Sequence, residues 1–356
     1  MDVDSLASIA DMDFTVAAVL VQDGITTGAI YALLGMALVL VFSVTRVISF
    51  AQGEFVSFSA LSLAAMQAGR TPGLVWLVVG MAMMASMMEV IDRWRDGDFS
   101  RLRKALLWQL ALPSALAALT AWASSGQTPL LLQSGLCLAM VTAMGALVYR
   151  IVYQPLAQAS MLTLLISSVG VHLVLVGLGL LLFGVEGIRT PSFWDARLQV
   201  AGLSINGQAI VVVATTFALI AGLWLWFART LKGAALRATA SNALGAQLMA
   251  ISVPFSGALS FGLAAFISAL CGLLIGPMVT VYYDSGLLIG LKGFVAAVIG
   301  AFASYPLTLV GALGVGILEA AASFWASAYK EVVVFLMIIP VLLVLSLRQG
   351  RDEEGH

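Results

Sequence analysis

The sequence predicts an all-α polytopic membrane protein, and three observations carry that prediction. Of 356 residues, 61% are apolar and 10% charged, against roughly 45–50% and about 25% in a soluble domain. Mean hydropathy is +1.05. The apolar residues fall in runs that can cross a ~30 Å hydrocarbon layer as helices of about 20 residues. So few charges cannot cover a 37.3 kDa globule. A water-soluble enzyme, a disordered chain and a nucleic-acid binder are excluded.

Taken in order, spans are expected at 24–45, 50–68, 74–91, 105–123, 129–149, 161–184, 207–228, 255–277, 285–303, 307–327 and 332–347. That gives about 10–11 transmembrane helices, several short or broken by glycine. The whole chain, 1–356, reads as one transmembrane domain. Asp2, Asp4, Asp11, Asp13 and Asp23 precede the first basic residue, so the start lacks the basic n-region of a cleaved signal peptide. Alternating spans from an outer N-terminus places Arg46, Arg93, Arg95, Arg101, Arg103, Lys104, Arg150, Arg229, Lys232, Arg237, Arg348 and Arg351 inside. Arg70, Arg189, Arg197, Lys292 and Lys330 fall outside. The positive-inside rule then selects N-out, C-in.

Between spans, 92–104 is a mixed-charge inner loop and 185–206 an outer loop. Residues 229–254 form the longest inner segment and read as one or two short helices, where Ser241 or Asn242 can start a helical turn. Within it, Leu244, Leu248 and Ile251 are spaced to give one apolar helix face, with too few basic residues for a membrane-surface helix. A docking helix for a soluble partner is the reading. The string GLLIG occurs at 272–276 and again at 286–290. It is read as tight helix packing, because small residues let backbones touch.

Chemistry is sparse. The chain has no P-loop, no His/Cys/carboxylate cluster with metal spacing, no nucleophile–base pair and no Arg-rich voltage-sensing span. No cofactor or metal is expected. Cys137 and Cys271 lie in apolar runs and read as small buried residues. What remains are ionisable residues within or beside spans: Glu54, Glu89, His172, Lys292 and Glu319. These are costly in lipid and usually face the bundle interior. Glu54 ends the polar break Ser49-Phe50-Ala51-Gln52-Gly53-Glu54. It reads equally as a pathway carboxylate or as a helix-start carboxylate satisfied by backbone donors. Glu319 is read as interior or pathway-facing, and Lys292 as snorkelling to the headgroups. His172 is read as bonding a neighbouring helix carbonyl, and Glu89 as an inner-interface group beside Arg93.

At these residues the chain resembles the permease subunits of bacterial ABC importers for branched-chain (hydrophobic) amino acids, the LivH type. The resemblance rests on DGITTGAIYAL at 23–33, SFAQGE at 49–54, YQPL at 153–156, LTLLISSVG at 162–170 and ALRATASNALGAQLMAIS at 235–252. It extends through GLKGFVAAVIGAFASYPLTLVGALGVGILEAAAS and YKEVVVFLMIIPVLLVL. It implies a second homologous permease subunit, two ATP-binding subunits, a periplasmic substrate-binding protein and a bacterial inner-membrane location among lipid. It also implies that 229–254 is the coupling segment, with Asn242, Ala246, Leu248 and Ile251 meeting the ATPase. Substrate is expected to pass Gln52, Gly53, Glu54 and Glu319. Ser49 and Gln52 replace the family's usual Asn and His, Ala250 replaces a Gly, and an apolar hairpin at 73–128 is additional to the family plan. A urea or short-amide permease shares these motifs. An ATP-independent secondary transporter or channel would use Glu54 and Glu319 as an ion relay.

Overall fold

Five helix starts are marked by a polar side chain that satisfies a free backbone N–H. Ser160 accepts from Thr163 N, Thr230 from Gly233 N, Asn242 from Gly245 N, Ser252 from Phe255 N and Ser304 from Leu307 N. The structure, a computed structural model, describes residues 3–96, 102–125, 128–200 and 203–343. Its helices are α1 (Val3–Thr45), α2 (Ala51–Gln67), α3 (Leu74–Asp96), α4 (Leu102–Ser125), α5 (Leu130–Val148) and α6 (Met161–Phe183). They continue as α7 (Gly207–Arg229), α8 (Leu231–Ser241), α9 (Ala243–Leu248), α10 (Val253–Ile275), α11 (Ser285–Ile299), α12 (Tyr305–Trp325) and α13 (Lys330–Leu336). A π-helical turn at Tyr149–Tyr153 follows α5, and helix resumes at 338–343.

Among the described residues, seven helices are long and apolar enough to cross a membrane: Val16–Thr45 of α1, Leu74–Trp94 of α3, Leu130–Tyr153, α6, α7, α10 and α12. The expected 10–11 spans are therefore not all full-length. Helix α2 has 17 residues and α11 has 15, about 25 and 22 Å at 1.5 Å per residue. The last expected span is broken at residue 337. Arg101, Arg348, Arg351, the tail His356 and residues 344–347 of that span lie outside the described residues. One element went unexpected in the outer loop: β1 (Arg197–Val200) pairs antiparallel with β2 (Leu203–Asn206).

The chain divides into two compact units. The first comprises residues up to Val39, Ser192–Leu223 and those from Leu291 on. The second comprises Leu40–Pro191 and Trp224–Gly290. In the first, α1 crosses α12 where side chains vanish. A Cβ on Gly316 would stand 2.3 Å from the Gly24 carbonyl oxygen and 2.4 Å from Gly28 N. In the second, α10 packs on α2 and α5. Ser59 of α2 donates to Ala269 O at 2.6 Å, and the Tyr153 ring lies 4.9 Å from that of Phe261. Both cysteines are buried in this unit, Cys137 on α5 and Cys271 on α10, and neither forms a disulfide. The hairpin α3–α4 is tied by charge to the π turn that follows α5. Glu89 pairs with Arg93, as expected, and also with Arg150 of the π turn.

Candidate functional site

Helix α1 ends at Thr45, and Arg46 turns the chain with φ 60°. Residues 46–50 are irregular, and Phe50 N donates to Ser168 Oγ of α6 at 2.9 Å. Helix α2 then starts, burying Gln52, Gly53, Glu54 and Ser57. Gly53 is required there, because a Cβ would lie 2.1 Å from the Gly286 carbonyl oxygen. Thus the second GLLIG string does serve close helix approach. Gln52 Oε1 accepts from Ser268 Oγ of α10 at 2.9 Å.

Glu54 is 0% exposed. Its Oε1 stands 3.0 Å from His172 Nδ1 of α6, at ion-pair distance but without hydrogen-bond alignment, and neither carboxylate oxygen accepts a hydrogen bond. His172 therefore faces a carboxylate, not the helix carbonyl expected of it. Residue 172 is also the midpoint of α6 (Met161–Phe183). The first turn of α2 accordingly sits at mid-height of a full-length span.

Glu319 belongs to the first unit and is held by partners. Lys292 Nζ donates to Glu319 Oε1 at 2.6 Å and to Glu331 Oε1 at 3.1 Å. Tyr31 Oη donates to Glu319 Oε2 at 2.6 Å. The snorkelling expectation for Lys292 is corrected by this geometry. Its residue is 7% exposed and lies at the middle of α11, where two carboxylates offer more than a distant headgroup. Sequence reasoning missed Tyr31 and Glu331. Their separation from Lys292 along the chain hides the contact, although each lies in a stretch that carries the family resemblance.

The 229–254 segment folds as two short helices, α8 and α9. Thr239 Oγ1 of α8 meets Ser256 Oγ of α10 at 3.1 Å. Asn242 caps α9, its Oδ1 accepting from Gly245 N at 2.9 Å. Ala246 is buried, whereas Leu244, Leu248 and Met249 are exposed. Ile251 falls beyond the helix end, its N–H bonded to Ala246 O at 3.0 Å across a left-handed Ala250. The expected single apolar face of Leu244, Leu248 and Ile251 is thus broken after one and a half turns. Near this segment a cavity of about 200 Å³ is lined by Val44, Arg46, Tyr149, Tyr153, Thr239 and Val253, among others.

A family described as "Branched-chain amino acid transport system / permease component" matches residues 110–342. The chain belongs to this permease family. It is 28% identical over 332 residues to the Escherichia coli K12 "High-affinity branched-chain amino acid transport system permease protein LivH", covering 91% of this chain and 92% of the relative. It is 27% identical over 334 residues to the Pseudomonas aeruginosa permease protein BraD of the same description, covering 90% and 91%. A "Probable branched-chain amino acid transport permease protein LivH" of Methanocaldococcus jannaschii is 28% identical over 226 residues, covering 59% of this chain and 72% of the relative. No solved structure matches.

The permease is a multi-pass inner-membrane protein and a subunit of a transport system. Its family works in general beside ATP-binding and substrate-binding partners. Among the described residues of the permease, no group of three His, Cys, Asp or Glu side chains could hold a metal ion.

Proposed function

We propose that this chain is the transmembrane permease subunit of an ATP-binding cassette importer for branched-chain or other hydrophobic amino acids. The family match over 110–342 carries the reading. Two ATP-binding subunits supply the energy, a second homologous permease completes the membrane pathway, and a periplasmic protein delivers substrate from the N-terminal, outer side. Substrate passes the α2 start at Gln52, Gly53 and Glu54. Glu319, held by Lys292 and Tyr31, is a further substrate-pathway residue, in the first unit.

The α8–α9 segment couples the ATPase to the membrane helices. Leu248 projects outward for docking. Asn242 shapes the turn, Ala246 seats α9, and Ile251 fixes the return into α10. Its support is the combination of exposed Leu244, Leu248 and Met249 with the Thr239–Ser256 link to α10. A docked partner therefore pulls on a full-length span through a short, capped lever.

Changing Ala246 to Arg forces a charge into the buried seat of α9. Leucine uptake is expected to fall strongly while ATP hydrolysis by the assembled importer persists and the membrane helices keep their melting temperature. Undiminished, ATP-driven uptake in this variant would remove α9 from the coupling path. ATP-independent leucine uptake by the isolated chain in vesicles would remove the importer reading itself.

A further inference from the structure

Three independent observations meet at the start of α2. The first is the state of its polar groups. Glu54 is fully buried, and neither oxygen accepts a hydrogen bond; Ser57 Oγ and Gln52 Nε2 are likewise buried without partners. Ser57 lies three residues after Glu54 and shares its helix face. Buried polar groups are normally satisfied, so a cluster of such groups marks a place built for something else to bind.

The second observation is depth. The break between α1 and α2, residues 46–50, leads into a helix whose first turn contacts the midpoint of α6. Irregular backbone at membrane depth is tolerated where it is buried in protein or lines a cavity. Transporters use such helix breaks to build mid-membrane substrate sites.

The third is the sign of the charge. The titratable group that the geometry places against Glu54 is His172 from α6. The neighbour from α10 is the neutral Ser268, already bonded to Gln52. A buried carboxylate with two unbonded oxygens, beside an unbonded hydroxyl, makes an acceptor-rich spot. It suits a small cation that carries N–H donors.

We propose that Glu54, assisted by Ser57 and His172, is the subsite for the ammonium group of the transported amino acid. This rests on the importer reading above. The carboxylate accepts two ammonium N–H bonds, which are stronger than neutral ones. The imidazole, 3.0 Å away, faces the carboxylate at ion-pair distance. Entry needs α2 to move against the first turns of α11. The Gly53–Gly286 crossing has no side chain between the two backbones, so a small shift at that crossing unlocks no interdigitated groups.

The test uses the full chain purified into nanodiscs and three probes of similar shape: leucine, isoamylamine (ammonium, no carboxylate) and 4-methylpentanoate (carboxylate, no ammonium). Leucine and isoamylamine are expected to bind at millimolar concentration or below, and 4-methylpentanoate about tenfold or more weaker. Glu54→Gln is expected to weaken the two amines by about tenfold or more, and Ser57→Ala by less. Equal binding of 4-methylpentanoate and leucine, or no binding of either amine, overturns the proposal; this arm needs no variant to fold. Unchanged amine binding in Glu54→Gln overturns it too. In the assembled importer, intact ATP-driven leucine uptake by Glu54→Gln would overturn the subsite and leave the importer reading standing. ATP-independent uptake by the wild-type chain would overturn that reading instead.

Discussion

Ala250 holds φ at 59°, a conformation that places its Cβ against the backbone and suits glycine. The position closes α9 and lets Ile251 N reach Ala246 O. Ala250→Gly is expected to raise stability by up to about 1 kcal/mol, and Ala250→Val to lower it by about 1–3 kcal/mol. Thermal unfolding of the purified chain reads both signs. The resemblance had marked Ala250 as a departure, and the left-handed backbone explains why a residue without Cβ is the natural occupant. Glu54 shows where residue-scale reading stops. Its cost in an apolar stretch was legible, and so was the choice between a pathway group and a capped helix start. Its partner was not: His172 is 118 positions away, and a lone histidine in an apolar run carries no periodic signal that names its neighbour.

The start of helix α2 is fixed by backbone approach at Gly53, and most of the helix is buried in protein. Gly53→Ala would press a Cβ against the Gly286 carbonyl at 2.1 Å, whereas a Cβ at Gly80 of α3 meets nothing within 4 Å. The first substitution is expected to cost about 1–3 kcal/mol, and Gly80→Ala to be neutral or stabilising by about 0.5–1 kcal/mol. Denaturation of the two variants in parallel checks the contrast. In the first unit, α11 and α12 are joined by the ion pairs of Lys292. Removing its charge with Lys292→Met leaves Glu319 buried beside only Tyr31, with an expected loss of about 3–5 kcal/mol. Adding Glu319→Leu should recover much of that loss, because Glu331 is the more exposed of the two carboxylates. A double-mutant cycle on melting curves measures the recovery. The caps at Asn242 and Ser304 were readable from local chemistry. The pairing of β1 with β2 was concealed by a loop composition that also carries Pro191, Phe193 and Trp194.

Across the whole molecule, hydropathy identified the class and the approximate position of the long apolar helices, because burial in lipid constrains composition more tightly than burial in protein. It overestimated the number of full crossings for the same reason. The apolar character of α2 comes from packing inside the protein: all but two of its residues are buried. By contrast, the α7 window is 11% buried, so its hydropathy reflects lipid. Composition cannot separate these two sources of hydrophobicity; packing can. The α3–α4 hairpin joins the second unit through the Glu89–Arg150 pair, which ties it to the π turn beside the α8 cavity wall. Finally, the two thiols of the chain, on α5 and α10, are 1% and 0% exposed. A maleimide added to the intact chain should therefore find no native target, and a single cysteine placed at Leu248 would become its sole attachment point. The wild-type sequence is already a background for fluorescent or spin labelling of the coupling segment, with no cysteine to remove first.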